Sequence, residues 1–183
     1  MLKNLTAAPH RVMFFGGALQ AIAVMLWWTL ELVSRYGIIG QPISWTVAPS
    51  AAHVYLMIYS LLPLFMFGFL MTTFPRWMAG KEIPPKLYVA AFGLMFLGAM
   101  GFYVGLIFSA AIIVTAVAST LAGWGAAFYA LMRVLLGTRP SDKRHPIVLV
   151  IALAMGWCGL ASYLSWLLTN RFFFLNFSIQ SGL

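Results

Sequence analysis

Charged residues are scarce in this sequence. Only 8% of its 183 residues are charged and only three are acidic, whereas 63% are hydrophobic. A soluble domain of this size needs a charged surface, which this composition cannot supply. The scarcity therefore excludes an ordinary soluble protein and predicts an integral membrane protein whose apolar surface faces the lipid bilayer.

Cysteine and the common catalytic motifs are also nearly absent. The single cysteine, Cys158, lies inside an apolar run and excludes an internal disulfide bond. We interpret it as a small core residue, because a redox or metal-binding thiol needs exposure and a lowered pKa. The sequence has no His-Glu-x-x-His motif, no phosphate-binding glycine loop and no Ser-His-Asp arrangement. It leaves open whether the protein catalyses any reaction.

Five apolar segments are long enough to cross the hydrocarbon core of a bilayer, which requires about 20 residues. The third and fourth form one tract, which we divide at Gly105–Ser109, because one helix of about 50 residues is far too long for a span. The sequence predicts an all-α, polytopic transmembrane helix bundle. The segments are Val12–Val33, Ala51–Phe74, Leu87–Val104, Ala110–Leu136 and Ile147–Leu168.

The residues after the fifth segment, from Arg171 to Leu183, turn apolar again. They either lie in the membrane interface or begin a sixth helix. Small residues also recur four apart within the predicted spans, a spacing that allows helix backbones to approach closely in lipid. This spacing predicts a compact bundle or a homo-oligomer. The recurring residues are Gly17 and Ala21; Gly101 and Gly105; Ser119, Gly123 and Ala127; and Ala152 and Gly156.

The basic residues predict the orientation of the bundle. Nine Lys and Arg residues fall on one side and two on the other, so the side with nine should face the cytoplasm and carry the N-terminus. The net charge of +8 does not indicate nucleic-acid binding, because these residues lie in short connectors between spans. The nine are Lys3, Arg11, Arg76, Lys81, Lys86, Arg133, Arg139, Lys143 and Arg144, and the two are Arg35 and Arg171.

His53 is the residue of greatest chemical interest, because it lies near the outer end of the second predicted span. Met57 follows at i+4, and four further residues share nearly the same helix face. Imidazole and thioether groups bind copper and haem iron, and a glycine on this face would admit a flat macrocycle or another helix. The alternative is a histidine among lipid headgroups and a methionine that fills the core. The four further residues are Ser60, Leu64, Gly68 and Met71.

Other polar residues near the spans allow simpler interpretations. Glu31 should pair with Arg35 at i+4, although it could instead orient His53. We interpret His10 and His145 as solvated residues of the membrane interface, since both adjoin basic residues. Pro63 should kink the second span, because proline lacks a backbone donor.

Three stretches resemble the N-terminal part of the NnrS family, whose members are polytopic bacterial membrane proteins associated with haem, copper and the response to nitric oxide. The stretches are "PHRVMFF" at 9–15, "AAHVYLM" at 51–57 and "GFLMTTFPRW" at 68–77. The family's usual pattern is a Trp-His-x-His-Glu-Met run followed by Gly-Phe-Leu-x-Thr-x-x-Pro-x-Trp.

The resemblance implies a role for three residues of the second span. His53 matches the first histidine of the family's run and Met57 matches the methionine, while Tyr55 stands at the second histidine. It implies His53 as a metal ligand, and His53, Met57 and Tyr55 as residues that bind haem and/or copper. Tyrosine can itself ligate haem iron.

The resemblance also implies that the protein lies in the bacterial inner membrane, with its N-terminus in the cytoplasm. It further implies a role in the response to nitric oxide or nitrosative stress. We expect residues 1–183 to form a single transmembrane helical domain, or the N-terminal half of a longer chain, because the family's members are longer. The alternative functions are half of a small-solute transporter and a non-catalytic membrane partner of a haem protein.

Overall fold

The computed structural model describes residues 2–38, 40–138 and 144–182, except for the side chains of Leu2 and Lys3. Within these ranges the chain is helical and contains no strand. Five helices are long and apolar enough to cross a membrane, which confirms the predicted all-α, polytopic transmembrane bundle. Spans 1 to 5 are Pro9–Arg35, Pro49–Trp77, Pro85–Phe108, Ala110–Leu136 and Arg144–Thr169. A short helix, Leu2–Leu5, precedes span 1, and the last helix, Phe172–Gly182, follows span 5.

Proline and serine explain where several spans begin. Pro9, Pro49 and Pro85 are the first residues of spans 1, 2 and 3. Proline suits this position because the first turn leaves its backbone donors unbonded and because its φ angle is already helical. Ser109 separates spans 3 and 4 in an extended conformation, and its hydroxyl accepts a hydrogen bond from the Ala111 N–H at 3.2 Å. The predicted division at Gly105–Ser109 is therefore confirmed.

Spans 3 and 4 form a tight antiparallel pair that depends on glycine. A Cβ atom on Gly98 would lie 2.6 Å from the carbonyl oxygen of Ala116. A Cβ atom on Gly123 would lie 2.6 Å from Cγ of Met95, and one on Gly105 would also meet span 4. Backbones this close can pack extensively in lipid, where burial of apolar surface gives no net driving force. The prediction of close packing at the small residues is confirmed at Gly105 and Gly123.

Spans 1 and 2 also run antiparallel. Gly68 of span 2 faces Met13 of span 1, whose Cβ would lie 2.8 Å from a Cβ added at Gly68. Farther along, Phe65 of span 2 covers Gly17 of span 1. The sequence left two occupants open for the space beside Gly68, a macrocycle or another helix. The structure places span 1 there.

The last helix folds back along span 5. Asn170 makes the turn with φ at 55°, a left-handed conformation that asparagine tolerates better than most residues. Ser162 of span 5 then donates a hydrogen bond to the carbonyl oxygen of Phe174 at 2.8 Å. The structure shows a helix of 11 residues in this segment, packed against span 5.

Because successive spans alternate in direction, the connectors fall at two ends. The basic end carries Arg11, Arg76 and the loop between spans 2 and 3, and the opposite end carries Arg35 and Arg171. Among the residues used to predict orientation, Arg139, Lys143 and the side chain of Lys3 lie outside the described residues.

Cys158 requires a correction. The sequence places it in the core, but its side chain is exposed on span 5. The buried side of the span instead uses Gly156, Gly159 and Leu160. A spanning helix is apolar on the side that faces lipid as well as on the side that faces the bundle. Apolar neighbours in the sequence therefore did not indicate burial.

Candidate functional site

Span 2 is interrupted by a π-helical segment, Tyr55–Leu61. The N–H of Leu62 bonds to the carbonyl oxygen of Met57, five residues earlier. Pro63 gives a reason for this wider turn, because it has no N–H to donate to the carbonyl of Tyr59, as an α-helix would require. The distortion that the sequence predicts at Pro63 thus takes the form of a π turn, a feature that is frequent at functional sites.

The π segment divides the helix face that the sequence predicts. His53 and Met57, at its outer end, are half-buried. The remaining members of the face are fully buried in the bundle. A π turn contains more residues than an α turn, so side chains beyond it are rotated relative to α-helical spacing. The buried members are Ser60, Leu64, Gly68 and Met71.

The imidazole of His53 stacks on the indole of Trp28 from span 1. The ring centroids are 4.1 Å apart and the planes differ by 29°. Nδ1 of His53 is buried and has no hydrogen-bond partner among the described residues. A buried polar atom without a partner costs about 1–3 kcal/mol, so it indicates a function or a missing ligand.

Glu31 lies next to this pair and binds two other side chains. Arg35 donates to Oε1 of Glu31 from Nη2 at 2.6 Å and from Nε at 3.0 Å. Trp45 donates from Nε1 to Oε2 at 2.6 Å. The predicted Glu31–Arg35 ion pair is confirmed. The alternative, in which Glu31 orients His53, is not seen, because no hydrogen bond joins the two side chains among the described residues and Nδ1 of His53 has no partner.

This network holds Trp28 in place. The guanidinium carbon of Arg35 lies 5.9 Å from the Trp28 ring centroid, within the range of a cation–π contact. The loop that carries Trp45 is fixed at Thr46, whose N–H donates to the carbonyl oxygen of Leu106 at 3.0 Å. A connected set of contacts therefore supports the indole of Trp28, on which the His53 ring stacks. Sequence reasoning did not find Trp45, because nothing local distinguishes a tryptophan in this loop.

Tyr55, the other aromatic candidate, lies in a different part of the bundle. It is 0% exposed and stacks between Phe102, at 4.1 Å, and Tyr163, at 5.5 Å. Its hydroxyl forms a hydrogen bond of 2.6 Å with Thr120 Oγ1. The structure therefore does not bring Tyr55 together with His53, although the two are only two positions apart.

Tyr59, one turn further into the π segment, joins span 2 to the last helix. Its hydroxyl donates to the carbonyl oxygen of Ser178 and accepts from Ser178 Oγ at 3.1 Å. Tyr163 donates to the carbonyl oxygen of Ala51 at 3.0 Å. The hydroxyls of these tyrosines therefore act as links between helices.

Gln20 is a buried polar residue in the middle of span 1. It is 0% exposed, and its amide group lies beside the hydroxyl of Tyr103 from span 3, without the geometry of a regular hydrogen bond. The buried hydroxyl of Ser60 has no hydrogen-bond partner among the described residues. The sequence signal was a glutamine within an apolar run, which sequence reasoning did not use.

At the basic end, His10 pairs with Thr72. The backbone N–H of His10 donates to Thr72 Oγ1 at 3.2 Å, and Nδ1 of His10 lies 3.2 Å from the same oxygen. Thr72 Oγ1 donates its only hydrogen to the carbonyl oxygen of Gly68 at 2.8 Å. It therefore accepts from His10, so Nδ1 carries a proton and Nε2 is the free nitrogen.

The sequence interpretation of His10 as a solvated interface residue did not include this pairing; His10 is half-buried. His10 and Thr72 belong to two of the stretches quoted for the family resemblance, and both line a cavity of about 250 Å³. His145, in contrast, is exposed as the sequence predicts.

Comparison with known proteins places the chain in one family. Within the described residues, no group of three His, Cys, Asp or Glu residues could hold a metal ion. No curated protein and no solved structure matches the sequence. The model of the family described as NnrS protein matches residues 4–183, which is nearly the whole chain. The chain belongs to the NnrS family.

Proposed function

We propose that this membrane protein binds haem and/or copper through His53 and acts in the response to nitric oxide or nitrosative stress. The observation that carries the proposal is the buried, unpartnered Nδ1 of His53, held beside Trp28. Binding of this nitrogen to a metal would relieve the cost of its burial. Family membership supports the same assignment.

The residues around His53 fit haem better than copper. Haem needs only one or two axial ligands from the protein, because the macrocycle fills the other positions around the iron. A copper site takes several ligands from side chains, and no group of three His, Cys, Asp or Glu residues that could hold a metal ion occurs in the described part of the chain. His53 would hold the haem, and Met57, four residues further along span 2, is the second candidate ligand. When bound, haem would supply an iron atom that takes a diatomic gas.

The chain's own contribution is to position the imidazole. Trp28 restricts rotation of the His53 ring by covering one face. Arg35 and Glu31 hold Trp28 from the side of span 1. Tyr55 is a weaker candidate for the same cofactor, because its hydroxyl would first have to leave Thr120.

The visible spectrum of the purified protein tests this proposal. His53→Ala should remove or shift the Soret band and lower the haem content. His10→Ala and His145→Ala, which replace the other two histidines, should leave both unchanged. A Soret band and a metal content that are identical in His53→Ala and the wild type would exclude His53 as a ligand.

We also infer that the protein lies in the bacterial inner membrane with its N-terminus in the cytoplasm. The excess of Lys and Arg at the basic end supports this orientation. Reporter fusions after Arg35 should be active outside the cytoplasm, and fusions after Thr138 inside it. The reverse pattern would place His53 at the cytoplasmic surface.

Two observations favour a second candidate, half of a small-solute transporter. Gln20 places a buried amide group in the middle of span 1, beside the hydroxyl of Tyr103. The π segment breaks the regular hydrogen bonding of span 2, and broken helices often form transport sites. Solute uptake into vesicles by protein without a chromophore, abolished in Gln20→Leu but retained in Gln180→Leu, would support it. Uptake equal to that of empty vesicles would exclude it.

A further inference from the structure

A cavity of about 250 Å³ opens at the basic end, where spans 1, 2 and 3 meet. It is smaller than the ~300–1,000 Å³ of pockets that enclose drug-sized ligands, so it suits a small group. It lies at the level of the membrane boundary, because its walls are the first residues of spans 1 and 3 and the last turns of span 2. The lining residues that matter here are His10, Met71, Thr72, Arg76, Glu82 and Ile83.

Two opposite charges face this cavity without pairing. Arg76 and Glu82 both line it, and both side chains are exposed. Within the described residues, neither of these two side chains forms an ion pair or a hydrogen bond. The ion pair of the described residues is Glu31–Arg35, at the opposite end of the bundle. A ligand that carries both a negative and a positive group could reach each of them.

His10 adds a hydrogen-bond acceptor to the same cavity. Thr72 fixes a proton on Nδ1, so Nε2 of the neutral imidazole presents its lone pair. The ring is held in this orientation by the Thr72 contacts and by the edge of Phe14, whose centroid is 6.1 Å away. A ligand ammonium group has three donors and could use both Nε2 and the Glu82 carboxylate.

Arg76 suits a phosphate group. Spans 1 and 3 both begin at this cavity, at Pro9 and Pro85. The positive ends of their helix dipoles therefore add to the positive potential at the cavity. Arginine binds phosphate through two parallel hydrogen bonds.

We propose that this cavity binds the phosphoethanolamine headgroup of a membrane phospholipid. Arg76 takes the phosphate, while Glu82 and Nε2 of His10 take the ammonium group. Met71 and Ile83 give the cavity apolar walls next to the bilayer, where the acyl chains of the lipid would continue. A lipid is the occupant because its headgroup is concentrated at this boundary and carries both charges.

Native mass spectrometry of the full-length protein, supplied with equal amounts of phosphatidylethanolamine and phosphatidylglycerol, tests this proposal. Both lipids carry the phosphate, and only the first carries the ammonium group. The wild type should retain phosphatidylethanolamine about two- to fivefold more than phosphatidylglycerol, the ratio expected for one solvent-accessible ion pair. Equal retention of the two lipids by the wild type would overturn the proposal.

Variants test which residue binds the phosphate and which binds the ammonium group. Arg76→Gln should lower retention of both lipids, whereas Glu82→Gln should bring their ratio to about one without loss of phosphatidylglycerol. Lys86→Gln removes a basic charge from the same end outside the cavity lining and should behave as the wild type. A preference that survives in Glu82→Gln, in protein that elutes as the wild type does, would contradict the assignment.

A competition experiment separates a lipid from a soluble ligand. Soluble O-phosphoethanolamine, at the concentration of the lipid, should leave phosphatidylethanolamine bound, because it lacks acyl chains. Displacement at equal concentration would assign the cavity to a soluble zwitterion and exclude the lipid.

Discussion

The imidazole of His53 lies almost parallel to the indole of Trp28, with ring centroids 4.1 Å apart. This contact joins the outer end of span 2 to span 1. It also connects His53 to the Glu31–Arg35 ion pair, since Arg35 lies over Trp28. A flexible side chain at the end of a span thereby acquires a fixed orientation.

Replacement of Trp28 should weaken the proposed cofactor site. Trp28→Leu removes the stacked ring, and a pair of aromatic rings contributes about 0.5–1.5 kcal/mol beyond its buried area. Haem affinity measured by titration should fall, by up to about tenfold. Trp28→Phe keeps an aromatic face and should fall less. Equal affinities for Trp28→Leu and the wild type would show that the ring does not position His53.

Arg35 should matter more for stability than Glu31. Arg35→Leu leaves the carboxylate of Glu31, which is 6% exposed, without its cation, and an unpaired buried charge costs about 3–5 kcal/mol. Glu31→Leu removes the buried charge and leaves Nε1 of Trp45 without its acceptor, at a cost of about 1–3 kcal/mol, while the half-exposed Arg35 can turn to solvent. Thermal unfolding in detergent should show the larger loss for Arg35→Leu. The opposite order would mean that the Glu31–Trp45 contact is the main support of this network.

Tyr59→Phe should loosen the last helix. The change removes the hydroxyl that bonds to Ser178, and a lost buried hydrogen bond of this kind costs about 1–3 kcal/mol. Amide hydrogen exchange in residues 172–182 should become faster. Tyr129→Phe, at an exposed position of span 4, is the matched control and should not change exchange there. Unchanged exchange in Tyr59→Phe would show that other contacts hold the helix.

Gly98→Ala should destabilise the protein, and Gly93→Ala in the same span should not. A Cβ atom at Gly98 meets the backbone of span 4, so spans 3 and 4 must separate, at a cost of about 1–3 kcal/mol. A Cβ atom at Gly93 meets nothing within 4 Å, and alanine favours a helix by about 1 kcal/mol over glycine. Thermal unfolding in detergent compares the two. Equal melting temperatures would contradict the close packing of spans 3 and 4.

The sequence predicts the fold well because its determinants are local. The length of each apolar run, the prolines at 9, 49 and 85 and the break at Ser109 fix all five spans. The Glu31–Arg35 pair was also predictable, since four residues separate its members along one helix. These features can be recognised without knowing which helices pack against each other.

The site was less predictable because its contacts join distant parts of the chain. His10 and Thr72 are 62 positions apart, and the local sequence around either residue does not indicate that the two are in contact. The face predicted for span 2 assumed α-helical spacing throughout, and the π segment changed it. Tyr55 was placed beside His53 by a family pattern, whereas the helix turns its side chain into the core.

Rescue of a His53→Gly variant with free imidazole tests the proposed ligand role most directly. The variant keeps the backbone and leaves space where the ring was, so added imidazole can replace the lost ligand without restoring the chain. The account predicts that the Soret band of the purified protein is lost or shifted in His53→Gly and returns to its wild-type position as imidazole is added. A wild-type band in His53→Gly without imidazole would contradict it.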